Sequence, residues 1–151
     1  MQVFGTKQAQ TSYLVRKGAY VIIFKNDDKK EIGLIRAHGN QYFLPGGGIR
    51  ANESKINTLK REMLEETGYL LKNVQYLCRA QNNFMATLPV KQPMTSDGFF
   101  YTGQLAKKVQ APTEKDNHFE WVKVEKCEKL LFHIHQLYAV QQALTITNAL
   151  K

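Results

Sequence analysis

Cysteine is scarce in this chain, which has two cysteines among 151 residues. Cys78 and Cys127 stand apart, with no CxxC motif and no histidine at a spacing typical of a zinc site. The sequence therefore argues against a zinc-bound protein. We predict that both residues are reduced thiols, either packed in the interior or lying at the surface.

A long apolar run is also absent. Although 43% of the residues are hydrophobic, no segment approaches the roughly 20 apolar residues that span a bilayer. The first residues, MQVFGTKQAQTSY, lack the basic-then-apolar pattern of a signal peptide. We therefore expect a cytoplasmic protein with no membrane partner, present as a monomer or a homodimer.

Acidic residues are outnumbered, because 13 Asp and Glu face 21 Lys and Arg, for a net charge of +8. The basic residues are scattered and form no tract rich in arginine and glycine or interleaved with aromatics. This distribution favours a soluble, basic surface. The alternative is a surface that attracts phosphorylated substrates or the ends of RNA.

Repeats, low-complexity blocks and linkers rich in proline or serine are missing too, so we predict one domain over residues 1–151. The apolar run 18–24 predicts a central strand, and a turn followed by residues 32–37 would complete a hairpin. Alternating strands and two helices predict an α/β fold with a mixed sheet between helices. Further strands are predicted at 41–44, 74–84, 99–105 and 119–124, a loop at 85–98, and a closing helix at 130–150.

Three carboxylates lie on one stripe near the end of the other predicted helix, at Glu62, Glu65 and Glu66. Like charges at this spacing repel by roughly 0.2–0.5 kcal/mol per pair, and the negative end of the helix dipole adds to the cost. A divalent cation would reverse both penalties, because Mg²⁺ prefers carboxylate oxygens. A cluster of this kind taken alone is more often a solvated surface, so the metal site is a hypothesis that depends on the residues around the stripe.

The residues around the stripe agree with a helix that serves a site. Asn52 is the predicted N-cap, Glu53 is placed in the first turn, and Gly68 is predicted to end the helix in a left-handed conformation. A glycine-rich loop, 44–48, directly precedes this region and would let the backbone approach a ligand closely. An apolar face for packing is predicted at Ile56, Leu59, Met63 and Thr67.

The stretch from Gly47 to Tyr69 resembles the Nudix box, whose pattern is G, five residues, E, seven residues, R-E-apolar-x-E-E-x-G-apolar. The only departure is Tyr69, which replaces an aliphatic residue. The resemblance implies a MutT-like Nudix hydrolase with an α/β/α sandwich that agrees with the predicted mixed sheet. The matching positions are Gly47, Glu53, Arg61, Glu62, Met63, Glu65, Glu66 and Gly68.

The resemblance implies Mg²⁺-dependent hydrolysis of the diphosphate linkage in a nucleoside diphosphate joined to another group, with Mn²⁺ able to substitute. A water on the metal would be the nucleophile, and a carboxylate would take its proton. Glu65 is the first choice for this base, and Glu53 or a loop acid is the second. Arg61 would orient a box glutamate. The implied metal ligands are the carbonyl of Gly46 and the carboxylates of Glu62, Glu65 and Glu66.

An acid outside the box often completes the metal site in this family, just before a later tryptophan. Here Glu114, Asp116 and Glu120 precede Trp121. Strand alternation would place Glu120 on the side opposite Trp121, which slightly favours Glu114 or Asp116.

The substrate remains open between several alternatives. The markers of the subgroups that cleave sugar nucleotides or dinucleoside polyphosphates are not found at their positions after the box. Removal of the 5′-terminal pyrophosphate of RNA is one alternative, and a regulator that binds a nucleotide without cutting it is another, although no box glutamate is lost. Candidates for stacking on a base, although residues of this kind more often belong to the core, are Tyr42, Phe43, Phe84 and Phe100. His133 and His135 are interpreted as surface or core residues.

Overall fold

Eight strands and three α-helices make up the part of the chain that the computed structural model describes, residues 1–149. Two short 3-10 helices, His38–Asn40 and Val124–Lys126, complete the elements. The strands are β1 Gln2–Phe4, β2 Leu14–Ile23, β3 Glu31–Arg36, β4 Tyr42–Phe43, β5 Gly46–Gly48, β6 Tyr69–Ala86, β7 Gln92–Lys108 and β8 His118–Lys123. The helices are α1 Lys55–Glu66, α2 Cys127–Leu130 and α3 Ile134–Ala149.

The strands form two sheets. The larger is mixed, with the order β1-β6-β7-β2-β5, and its β1/β6 and β2/β7 pairs are parallel. The smaller is antiparallel, with the order β4-β3-β8. β2 is a central strand, as the sequence predicts, because it pairs with β7 on one edge and β5 on the other.

The mixed sheet lies between α1 and α3, which confirms the predicted α/β/α sandwich. Alternate residues of β2 point to opposite faces. Val21 packs in a core cluster with Leu59 and Met63 of α1, and Ile22 packs in a second cluster with Val140 of α3. Because both faces of β2 are covered in its second half, the sequence from Gly18 to Ile23 is continuously apolar rather than alternating.

The predicted hairpin of residues 18–24 and 32–37 is wrong. β2 and β3 belong to different sheets and meet only at the turn between them, through a bridge between Phe24 and Ile32 and a hydrogen bond from the Lys25 N–H to the Glu31 carbonyl (2.9 Å). β5 and the Pro45 carbonyl take the same edge of β2 as far as Val21, so β3 does not pair there. It instead pairs with β4 and β8.

The predicted loop at 85–98 is also wrong, because β6 runs on to Ala86 and β7 already begins at Gln92. Two polar residues of this segment, Thr95 and Asp97, are buried in β7 and form hydrogen bonds across to β6. Asp97 accepts two hydrogen bonds from Arg79, of 2.9 and 2.7 Å, and Thr95 donates to the Asn83 side chain. Cross-strand pairing therefore outweighs the low strand propensity of these residues.

The closing helix begins later than predicted. Residues 127–130 form the separate helix α2, and α3 starts only at Ile134. The break lies where Leu131 bridges to Tyr42 and the Phe132 N–H donates to the Tyr42 carbonyl (3.0 Å). α3 is described as far as Ala149, so the last predicted residue, Leu150, lies outside the described residues.

Both cysteines are free thiols, as predicted, and Cys127 is buried in the core. Burial raises the pKa of each thiol to about 11. Among residues 1–149, no helix is both long and apolar enough to cross a membrane.

Candidate active site

Helix α1 begins two residues later than the sequence predicts. Its N-cap is Ser54, whose Oγ accepts a hydrogen bond from the Asn57 N–H (3.1 Å). Asn52 instead adopts a left-handed conformation, with φ of 62°, so the predicted cap is wrong. Glu53 consequently precedes the helix, where it accepts hydrogen bonds from Arg50 N (3.2 Å) and Thr58 Oγ1 (2.7 Å).

Arg61 connects helix α1 to two segments that precede it, the residues around Glu53 and strand β5. Its guanidinium donates to both oxygens of Glu53 (2.8 and 2.9 Å) and to Glu62 Oε1 (2.8 Å). A fourth bond, of 3.0 Å, reaches the carbonyl of Gly48 in β5. The hydrogen bonds of Arg61 therefore hold β5 in place relative to the acidic stripe of α1 and orient the Glu62 carboxylate.

Glu53 is fully engaged in this network. Its hydrogen bonds from Arg61, and then from Thr58, lower the pKa of the Glu53 carboxyl to about 2. A carboxylate with so low a pKa is a weak base near neutral pH. The geometry therefore disfavours Glu53 as the proton acceptor and leaves Glu65, with its partly exposed carboxylate, as the better candidate.

A loop wraps around the carboxyl end of α1 and brings a further acid to it. Gly68 ends the helix with φ of 80°, as predicted. Beyond β7, the N–H groups of Thr113 and Glu114 donate to the free carbonyl of Glu65 (2.9 and 3.2 Å). Satisfying this carbonyl places the Glu114 side chain beside the acidic stripe.

Glu62, Glu65 and Glu114 consequently form an acidic cluster. One carboxylate oxygen from each lies within 4.8 Å of the others. The other two candidates for the loop acid lie outside this group. Asp116 is exposed, and Glu120 accepts hydrogen bonds from Arg36 and from the Tyr42 hydroxyl (3.2 Å).

Glu66 lies beside this cluster but is buried, with 7% of its surface exposed. Its Oε1 accepts a hydrogen bond from the Gly46 N–H (3.0 Å). Burial raises the pKa of the Glu66 carboxyl well above its usual value, and also raises that of Glu62. In the described part of the chain, no cation pairs with Glu66.

The glycines of β5 bring the backbone against these carboxylates. Gly46 has φ of 141°, and a Cβ there would collide with the carbonyl of Ala19. A Cβ at Gly47 would collide with the Glu62 carboxylate. Glycine at position 46, whose carbonyl is a predicted metal ligand, is therefore needed for the close pairing of β5 with β2, and glycine at position 47 leaves room for the Glu62 carboxylate.

This donor set suits a hard divalent cation. Four carboxylates, Glu62, Glu65, Glu66 and Glu114, meet near one arginine, and Mg²⁺ and Mn²⁺ favour oxygen ligands. Without a cation, burial and mutual repulsion oppose the ionised forms of Glu62 and Glu66. A bound cation would remove that opposition.

A cleft of about 540 Å³ opens beside the acidic cluster and is lined by Gly46, Gly47, Gly48 and Glu66. We call the part next to these glycines the glycine end. It contains Arg16 and Lys17, neither of which forms an ion pair within the described residues. Because Arg16 and Lys17 are consecutive residues of β2, their side chains leave opposite faces of the sheet, and it is Arg16 whose guanidinium lies beside Gly48. An unpaired arginine near a group of carboxylates suits a ligand that carries negative charge.

The other part of the cleft, the aromatic end, is bounded by the start of α3. It is lined by Phe43, Phe84, Phe132, His133 and Gln136. The rings of Phe43, Phe84 and Phe132 lie 5.8, 5.3 and 4.9 Å from that of His133. This end suits a flat, uncharged group.

Sequence reasoning found only part of this cleft. Phe43 and Phe84, two of the four stacking candidates, line it. Phe100 is instead a fully buried core residue, and Tyr42 bonds to Glu120. Arg16, Lys17 and Gln136 carried no signal in the sequence, because residues far apart along the chain meet here.

A second hollow, of about 530 Å³, lies beside Trp121 and the turn after β2. None of the box carboxylates lines it, so its chemistry is separate from that of the acidic cluster.

Comparisons with known proteins agree with this geometry. The model of the NUDIX domain matches residues 15–142. One curated relative, the RNA pyrophosphohydrolase of Bartonella tribocorum, is 29% identical over 100 residues, which are 61% of this chain and 57% of that protein. The match thus spans little more than half the length of that relative.

Solved structures show the same fold at low identity. A NUDIX hydrolase from Nitrosomonas europaea superposes with a TM-score of 0.70 and 14% identity, covering 87% of this chain and 90% of the other. A MutT NUDIX hydrolase from Burkholderia pseudomallei superposes with a TM-score of 0.62 and 19% identity, covering 85% and 97%.

Proposed function

The chain belongs to the NUDIX family, whose hydrolases act on pyrophosphate bonds, and we propose that it cleaves the diphosphate linkage of a nucleoside diphosphate joined to another group. The observation that carries this proposal is the meeting of Glu62, Glu65 and Glu114 within 4.8 Å beside the glycine end of the cleft. This arrangement supports a proposal in which cation ligands lie next to the site of a negatively charged diphosphate.

The residues that would hold Mg²⁺ or Mn²⁺ are Glu62, Glu65 and Glu114, with Glu66 and the Gly46 carbonyl beside them. When bound, such an ion lowers the pKa of a water molecule and neutralises phosphate charge. Arg61 orients Glu62 through its 2.8 Å bond. We assign Glu65 as the acceptor of the water's proton.

The rest of the cleft would position the substrate. Arg16 would contact the phosphate oxygens at the glycine end, because its guanidinium lies beside Gly48 and forms no ion pair within the described residues. The base would lie at the aromatic end, between rings that offer stacking surfaces. A nucleotide bound with its base at the aromatic end would have its diphosphate next to the acidic cluster. Such an orientation of the reacting groups can lower the activation barrier by several kcal/mol.

A substrate panel with Mg²⁺ or Mn²⁺ tests the proposal. It contains nucleoside triphosphates, sugar nucleotides, dinucleoside polyphosphates and 5′-triphosphorylated RNA, each followed by phosphate or pyrophosphate release and by separation of the nucleotide products. We expect turnover of at least one nucleotide and none in the presence of a chelator. No turnover of any substrate by a folded protein would contradict the proposal and favour a regulator that only binds nucleotides.

Removal of 5′-terminal pyrophosphate from RNA is the second candidate function. Two observations favour it: the net charge of +8, which attracts polyanions, and the likeness to a relative named RNA pyrophosphohydrolase. The panel separates the two candidates, because an RNA hydrolase would cleave triphosphorylated RNA at a higher kcat/KM than the matching free nucleotide.

A further inference from the structure

Gln136 lies in the first turn of α3 and is the one amide side chain of that helix on the cleft wall. Only 1% of its surface is exposed. Its Oε1 accepts a hydrogen bond of 2.7 Å from the backbone N–H of Leu44. Because a backbone N–H can only donate, this bond determines which end of the amide is oxygen.

The other end of the amide is consequently a fixed donor. Within residues 1–149, no protein acceptor meets Nε2 of Gln136, and the atom is not among the fully enclosed polar atoms without a partner. Gln136 therefore offers N–H groups to whatever occupies the aromatic end of the cleft. It can offer no acceptor there, since its oxygen is held by Leu44.

The ring beside it carries no charge near neutral pH. Burial lowers the pKa of His133 to about 4, and the rings around it are three phenylalanines and His135, whose pKa burial lowers to about 3. Among the described residues that line this end, a phosphate or carboxylate would find no cation. A nucleobase would find ring surfaces and one oriented donor.

Given the nucleotide hydrolase proposed above, on which this inference rests, we propose that Gln136 is a specificity-determining residue that selects bases with a carbonyl oxygen at position 6 of a purine or position 4 of a pyrimidine. Nε2 of Gln136 donates to that oxygen. Hypoxanthine, guanine and uracil present such a carbonyl, whereas adenine and cytosine present an amino group at the equivalent position. A donor that faces an amino group leaves both unpaired, and a site built in this way rejects the wrong base.

Gln136→Glu tests this assignment directly. A glutamate keeps one oxygen for the Leu44 N–H and replaces the donor with an acceptor, at nearly the same volume. The matched control is Gln141→Glu, which makes the same charge change at an exposed position of the same helix. Gln136→Met, which removes the donor without adding charge, is a second variant should the glutamate prevent folding.

Inosine 5′-monophosphate and adenosine 5′-monophosphate are the probes, because their rings differ at the carbonyl or amino group. We expect calorimetric titration to show about ten-fold tighter binding of the inosine nucleotide by wild type. Gln136→Glu should reverse this ratio, Gln136→Met should bring it near one, and Gln141→Glu should leave it unchanged. The ratio of kcat/KM for inosine and adenosine triphosphates should change in the same way.

The two measurements separate the two proposals. Equal binding of both monophosphates by wild type, or the same ratio in wild type and Gln136→Glu, overturns the role of Gln136 even if hydrolysis is fast. Absence of hydrolysis with the expected binding ratios overturns the proposed function but supports the selection of the base.

Discussion

The two faces of the mixed sheet both bury ionisable side chains, but they treat charge in opposite ways. On the α1 side, Glu62, Glu65, Glu66 and Glu114 crowd together near a single arginine, Arg61. On the α3 side, His133 and His135 lie 5.4 Å apart among aromatic rings, and their neutral forms are favoured because burial lowers their pKa values to about 4 and 3.

On the proposed function, this difference would separate a site that performs chemistry from one that binds by shape. Histidine can lose its charge near neutral pH at little cost, so burying it produces an uncharged wall. A carboxylate resists neutralisation at the same pH, so a crowded group of carboxylates favours the binding of a cation. We therefore expect the α1 side, but not the α3 side, to depend on a metal ion.

The largest effect should come from removing a carboxylate of the α1 side. We expect Glu62→Gln or Glu66→Gln to lower Mg²⁺-dependent hydrolysis on the order of 10³-fold or more, because each loses a charge that would bind the cation. Circular dichroism should show that the fold is retained. Glu128→Gln, at an exposed position of α2, is the matched control, and equal turnover by all variants would disprove the metal role.

A smaller loss is expected from Arg61→Lys. Lysine keeps the charge but cannot reproduce the guanidinium bonds to Glu53, Glu62 and Gly48. We expect activity to fall roughly 10–100-fold, with weaker Mg²⁺ binding, because the carboxylate is no longer oriented. The exposed Arg50→Lys is the control. If Mg²⁺ titration gives the same half-saturation for wild type and Arg61→Lys, the orienting role is wrong.

The buried histidines on the α3 side should lower the free energy of unfolding as the pH falls. As the pH falls, a buried histidine with a depressed pKa takes up its proton in the unfolded chain before it does so in the folded one. Its contribution to the free energy of unfolding is therefore fully present above about pH 6.5 and is lost as the pH falls towards the pKa of the folded state. With His135 at about 3, the loss is at most about 1.4 kcal/mol per pH unit for this residue. Urea unfolding between pH 7 and pH 5 measures the slope.

His135→Leu should flatten that slope. Both ring nitrogens of His135 are buried without a hydrogen-bond partner in residues 1–149, so the substitution should also leave stability at pH 7 unchanged or higher. His38→Gln, at an exposed position, serves as the control. An unchanged slope in His135→Leu would show that the acid sensitivity arises elsewhere.

The smallest effect concerns the α1 side without metal. Glu66→Gln removes a buried charge next to other carboxylates and can still accept the Gly46 N–H, so the metal-free variant should match wild type or be more stable by about 0.2–0.5 kcal/mol per relieved pair. Mg²⁺ should raise the melting temperature of wild type more than that of the variant. A clear loss of melting temperature in the metal-free variant would point to a structural network.

Much of the fold could be predicted because it follows from patterns among residues that are close together in the sequence. The central strand β2 follows from an apolar run, and the end of α1 follows from Gly68. The errors occurred where the signal was not local. Asn52 and Ser54 are both good caps, and only the left-handed backbone at Asn52 decides between them. The polar stretch of β7 looks like a loop because its partners, such as Arg79 for Asp97, lie 18 residues away.

The residues of the site also fall into those that the sequence predicts and those that only the tertiary structure brings together. The sequence by itself determined the acidic stripe, the glycine strand and Arg61, because they form one continuous motif whose spacing follows from a helix. Only the tertiary structure decided that Glu114, rather than Asp116 or Glu120, joins the stripe, because backbone N–H groups of its loop satisfy the Glu65 carbonyl. It also decided which residues line the cleft, since Arg16, Phe84 and Gln136 meet only when the sheet and α3 pack together.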